Sequence, residues 1–192
     1  MIQLSVAVRN ARLDAIETTV GVGAKLQIWS GAMPANCAAA ATGTKLLEDT
    51  LASDWAAAAS GGSKVLNNTP ITGTGLPAAG GGTQAGYFRI ADSTGSTCHE
   101  QGTVSVNAAA WAAGTAVVVN QYARNGGNIY QCTAAGTTAG TGGPSGTGTG
   151  ISDGTAVWSY VSAVGDMTID NPSIASGQTV TVTSFSMTDG NA

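Results

Sequence analysis

The tract AAGTTAGTGGPSGTGTG, residues 134–150, sets the first limit on the fold. A run of Gly, Thr and Ala broken by one Pro supplies neither apolar area for a core nor a helical period, so it reads as a flexible loop. Aromatics stand on both sides of it, Trp111, Tyr122 and Tyr130 before and Trp158 and Tyr160 after, half of all the Trp, Tyr and Phe in the chain. Such residues suit strands. The stretch CHEQGTVSV before this region and the stretch VGDMTIDNPSIASGQTVTVTSFSMTDGNA after it look like consecutive strands of one sheet. Residues 108–162 are therefore read as an insertion, a small surface module carried on a loop of a discontinuous base domain formed by 1–107 and 163–192.

The base domain opens with a helix. Ser5 is placed to cap it, Val8, Ala11, Ala15 and Ile16 recur at three- and four-residue spacing, and Gly21 stands where a stop belongs, which predicts a helix over 5–19. Arg9, Arg12, Asp14 and Glu17 are assigned to its solvated face. Beyond it the period falls to two, with strands expected at 25–30, 45–51, 86–91, 98–106, 166–170 and 178–188. Ser53-Asp54-Trp55 followed by four alanines predicts a short capped helical turn.

Charged residues make up only 9% of the 192, yet the net charge is only -4 and regularly spaced Val, Ile, Leu, Trp and Tyr give the chain apolar surface to bury, so folding is expected. Seven scattered basic residues offer no footprint for a phosphate backbone, and nucleic acid is not an expected partner. The first twenty residues carry Arg9, Arg12, Asp14 and Glu17 within their apolar pattern, so neither a signal peptide nor a membrane span is expected there.

Catalytic constellations find no foothold. His99 is the one histidine, and adjacent Cys98 would point to the opposite face of a strand, so the two cannot act as nucleophile and base. Asp166 and Asp170 share a strand face but lack the Asp-x-Asp-x-Asp-Gly loop of a calcium site. Cys37, Cys98 and Cys132 show no CxxC spacing; they read as small buried hydrophobes, with pairing of Cys37 and Cys98 after cell lysis left open. No enzyme activity, cofactor or metal is expected. The aromatics Trp111, Tyr122, Tyr130, Trp158 and Tyr160 are the one functional constellation, either a carbohydrate-stacking surface or the core that so small a module needs.

Two resemblances bear on function. The stretches MIQLSVAVRNARLDAIETTVG, LASDWAAAASGGSK, GYFRIADSTGSTCHEQGTV and DMTIDNPSIASGQTVTVTSFSMTDGNA resemble a family of small proteins encoded in phage and prophage structural regions. Family members lack the insertion, running from CH-x-QGTV through a Gly-rich turn into the DMT strand. The inserted part, with Trp-x-x-Gly-Thr, Arg-Asn-Gly-Gly-Asn-x-Tyr and Asp-Gly-Thr-x-x-Trp-x-Tyr, is similar to small three-stranded chitin-binding-type carbohydrate modules found in phage fibres. Its long Gly-rich tract departs from compact sugar-binding examples.

The expected fold is therefore mainly β, a β-sandwich-like base domain with an N-terminal α-helix and a small three-stranded inserted module. The first resemblance implies a virion structural protein, made in the host cytoplasm and carried on the particle surface as a capsid decoration or cement protein. The implied partners are the major capsid protein, or tail proteins in the alternative, and further copies of the chain in a homo-oligomer. The second resemblance implies a host-surface glycan.

Overall fold

Ser5 begins the first element by accepting a hydrogen bond from the Val8 N–H (3.3 Å), and Gly21, at φ 81°, ends it, so helix α1 spans Val6–Val20. The computed structural model describes residues 3–67 and 69–190. Among the described residues sixteen strands come after α1: β1 (Lys25–Ser30), β2 (Lys45–Thr50), β3 (Ser63–Val65), β4 (Ile71–Thr74), β5 (Thr83–Ala91), β6 (Cys98–Val106), β7 (Ala109–Ala110), β8 (Ala116–Val117), β9 (Tyr122–Asn125), β10 (Asn128–Ala134), β11 (Gly136–Thr137), β12 (Ile151–Asp153), β13 (Ala156–Ala163), β14 (Met167–Ile169), β15 (Ser173–Ile174) and β16 (Thr179–Thr188). Among the described residues no helix is long and apolar enough to cross a membrane. The chain divides into two compact units, 3–104 with 166–190 and 105–165.

The first unit is a mainly antiparallel sheet in the order β2-β1-β5-β6-β14-β16-β3, with β4 also on β16 and β15 on β5. It curls until its ends approach. Leu76 N–H donates to the Leu46 carbonyl (2.8 Å), and β4 lies so close to β2 that a Cβ on Gly73 would stand 2.9 Å from Leu47. The walls thus enclose one core of Leu26, Ile28, Leu46, Phe88, Ile90, Met167, Ile169, Val180 and Phe185 among others. Burial alternates along β16 through Val180 and Val182, then skips a step to Phe185 and Met187. The skip is a β-bulge opposite Thr168 and Ile169, which keeps the apolar side turned inward as the sheet bends.

Two expectations about this unit need correction. Helix α1 has the expected extent but a different inner face. Leu13 and Val20 are its buried residues, whereas Val8, Ala11 and Ala15 are exposed. Asp14 and Glu17, expected on the solvated face, turn inward because Lys64 of β3 is buried beneath them: its Nζ lies 2.9 Å from Asp14 Oδ1 and 2.9 Å from Glu17 Oε2, and donates to the Ala57 carbonyl (2.8 Å). The second correction is at Trp55 and the four alanines, which are extended rather than helical. Ala57 N–H donates to Val65 O and Asn67 N–H to Trp55 O, so the segment pairs with β3 and its neighbours. The carboxylates of α1 hold it from the other side, Glu17 accepting from Ala56 N–H (3.1 Å) and Asp14 from Ala59 N–H (2.9 Å). Tertiary pairing and burial of Trp55 override the alanines' helical preference.

The second unit is a five-stranded sheet, β12-β13-β10-β9-β7, beside a two-stranded β11-β8 pair. The three-stranded expectation captures its central β9, β10 and β13. It misses four strands of only two or three residues, too short to show alternation.

Candidate functional site

Residues 105–165 contain two charged side chains, Arg124 and Asp153. Asp153 is buried at the end of β12, where Gly154 (φ 67°) turns the chain into β13. Its Oδ2 accepts from both indoles, Trp111 Nε1 (2.7 Å) and Trp158 Nε1 (3.1 Å), while Oδ1 accepts from Ala139 N–H (2.9 Å). One carboxylate thereby ties together the first strand region of the unit, its last hairpin and the Gly-rich tract. In the sequence Asp153 stands out only as a turn residue within a motif. A lone acid in so charge-poor a segment was the available signal, because such a residue is buried only when several donors satisfy it.

The five aromatics do not form one platform. Tyr130, Tyr160, Trp158 and Cys132 project from one face, through the pairings Tyr130↔Tyr160 and Cys132↔Trp158. Tyr122 pairs with Gln131 and so belongs to the opposite face, its hydroxyl accepting from Gln131 Nε2 (3.2 Å). Trp158 and Tyr130 are 0% and 1% exposed and offer no ring face to a ligand. Tyr160 packs edge-on against Tyr130, with ring centroids 6.1 Å apart. With Val117, Ala123, Cys132 and Ala156, the buried rings are the core of the unit.

The Gly-rich tract, expected to be a flexible loop, lies over this aromatic face. Asn125 Nδ2 donates to the carbonyls of Gly142 (2.9 Å) and Pro144 (3.0 Å), Tyr130 Oη donates to Gly146 O (3.0 Å), and Tyr160 N–H donates to Gly148 O (2.9 Å). Glycine is what permits the approach. A Cβ on Gly143 (φ 74°) would stand 2.7 Å from Asn125 Nδ2 and 2.9 Å from the Trp111 ring. What remains open is a cleft of about 230 Å³ whose lining includes Trp111, Thr115, Val117, Gln121, Tyr122 and Thr138. Half-buried Trp111 and Tyr122 could there meet a sugar ring, with Gln121 and Thr138 as polar neighbours.

In the first unit the weighed catalytic groups are dispersed. His99 is exposed and borders a cavity with Arg12, Ile16 and Thr19, whereas Cys98 lines another with Cys37 and Arg89. Asp166 accepts from Thr103 N–H and Oγ1 (both 2.9 Å), and Asp170 from Thr181 N–H (2.9 Å), so each acid serves its own stretch of backbone. Among the described residues no group of three or more His, Cys, Asp or Glu is placed to hold a metal ion.

Glu100 is the titratable outlier. Its Oε2 is buried without a hydrogen-bond partner, in a cavity bordered by Leu13, Ile16, Phe88 and Phe185. Burial pushes its carboxyl from the ordinary 4.5 up to about 7, and the neighbouring Asp166 charge adds to the rise. The folded value lies above the unfolded one, so this group's contribution is fully present below pH 4.5 and is lost as pH rises through 7. Denaturant titrations should show this site's contribution falling by roughly 3 kcal/mol between about pH 4.5 and 8, and Glu100→Gln should remove that part of the slope. An unchanged slope in Glu100→Gln would assign the pH dependence elsewhere.

The fold and site define a β-rich protein of two compact units, the second organised around aromatics tied to one buried carboxylate. Comparison with protein-family models, with curated proteins and with solved structures gives no match.

Proposed function

We propose that the chain is a non-enzymatic virion protein of a tailed phage, a capsid decoration or cement protein whose first unit docks on the particle and whose second is displayed. The observation that carries this reading is the placement of the second unit. It has its own core and is spliced between β6 and β14, neighbouring strands of a sheet that a short turn would join. A sheet that could close without it gains no fold from such an insert, so the insert is carried for what it presents. The outward row Val8, Ala11 and Ala15 of α1 gives the first unit an apolar surface for docking on a capsid protein or another copy.

Peptide quantification of purified particles tests the assignment. The chain should co-purify in the high copy number of a shell component, in fixed ratio to the major capsid protein. Its absence from particles would overturn the reading.

The cleft of Trp111 and Tyr122 favours a second reading, a tail or fibre component whose insert binds host glycan. Location on the tail, together with adsorption lost in Tyr122→Ala, would select it.

A further inference from the structure

Residues 31–44 cross the outer face of β5 and β6 and are tied down along their length. Gln101 Nε2 donates to the Pro34 carbonyl (2.7 Å), and Arg89 Nη2 donates to the carbonyls of Cys37 (2.7 Å) and Ala39 (2.9 Å). Tyr87 Oη donates to Thr42 O (2.7 Å) and accepts from Thr42 N–H (2.9 Å). These ties bury Tyr87, Arg89 and Ala91 on the side of β5 that faces away from the main core. Register then decides what lies beneath Cys37. Arg89 pairs with Gln101 and Ala91 with Cys98, so Cys98 projects from the face that the segment covers. Cys37 and Cys98 line the same cavity, Cys98 donates to the Glu100 carbonyl (3.1 Å), and both cysteines are free and half-buried.

We propose that Cys37 and Cys98 are a modification site, a dithiol that closes to an intramolecular disulfide by exchange with a small-molecule disulfide and fastens residues 31–44 to β6. In the first step the thiolate of one cysteine attacks the small disulfide, whose S–S bond breaks; a mixed disulfide forms and one small thiolate leaves. The second cysteine loses its proton to solvent and attacks the protein sulfur of that mixed disulfide, releasing the second small thiolate. Two cysteine thiols are oxidised and one small disulfide is reduced to two thiols. Burial, with neighbouring Cys98 adding to it, pushes the Cys37 thiol up to about 11, so its thiolate is scarce at neutral pH and closure should accelerate as pH rises. Cys132 is buried in the other unit and takes no part. This chemistry is independent of the virion assignment.

The test uses the purified full chain, reduced and then incubated with oxidised glutathione, acid-quenched, and alkylated under denaturing conditions. The expected result is a monomer in which only Cys132 is alkylated and a peptide links Cys37 to Cys98. Closing so long a loop should raise the melting temperature by about 10 °C over the reduced chain. Cys37→Ser and Cys98→Ser should each abolish the linked peptide and the shift, and Cys132→Ser should keep both. Three alkylated cysteines, a persistent glutathione adduct, an intermolecular link, or a linked peptide with no rise in melting temperature would overturn the proposal.

Discussion

Asp153→Ala is expected to unfold residues 105–165. The substitution removes the shared acceptor of Trp111 and Trp158 and the acceptor of Ala139 N–H. Trp158 Nε1 is left buried without a partner and the half-buried Trp111 Nε1 and Ala139 N–H lose theirs, at roughly 1 to 3 kcal/mol each, so the total is about 3 kcal/mol or more. A unit of this size typically holds no more than about 3 to 9 kcal/mol in all. The expected readings are a red shift of tryptophan emission and proteolytic cutting within 134–150 under conditions where the parent chain resists. Asp153→Asn keeps one carbonyl acceptor and should fall between the two. An Asp153→Ala chain that resists proteolysis like the parent would show that the carboxylate does not tie the unit together.

Lys64→Met is expected to destabilise the first unit by about 3 kcal/mol, because it leaves Asp14 and Glu17 facing an apolar side chain. The Lys64 side chain is 1% exposed, but those of Asp14 and Glu17 are 47% and 21% exposed, and water offsets part of the loss. The acids also accept from Ala59 and Ala56 N–H, so the substitution should loosen the extended segment after Trp55 as well as α1. Burial works against the Lys64 charge, yet hydrogen bonds to Asp14 and Glu17 outweigh it and hold its pKa above the ordinary value. Urea unfolding should therefore show a double-mutant coupling between Lys64→Met and Glu17→Gln of about 1 kcal/mol or more. Strict additivity would mean that the ion pair contributes nothing.

Local signals were legible in the sequence, and non-local ones were not. Ser5 and Gly21 mark the ends of α1 because caps act through neighbours in the chain. Alternation in 178–188 locates β16 because one of its sides lies on the core. The inward turn of Asp14 and Glu17 depends on Lys64, fifty residues away from Asp14 in the chain, and no helical period can announce that. Trp55 and its alanines look helical until β3 offers them a partner. The Gly-rich tract reads as loose because composition does not reveal Asn125, Tyr130 and Tyr160 holding its backbone. At the candidate site the aromatics were legible as a cluster. Their division between two faces follows from the register of β9, β10 and β13, which sequence spacing does not fix.

Electron microscopy of purified particles, parent against a variant lacking residues 108–162, decides between decoration and receptor binding. Projections on the head of the parent particle should shrink to low knobs in the variant, with heads still full and intact because the first unit still docks. Unchanged heads, with density lost from the tail and adsorption reduced, would contradict decoration and assign the displayed unit to receptor binding.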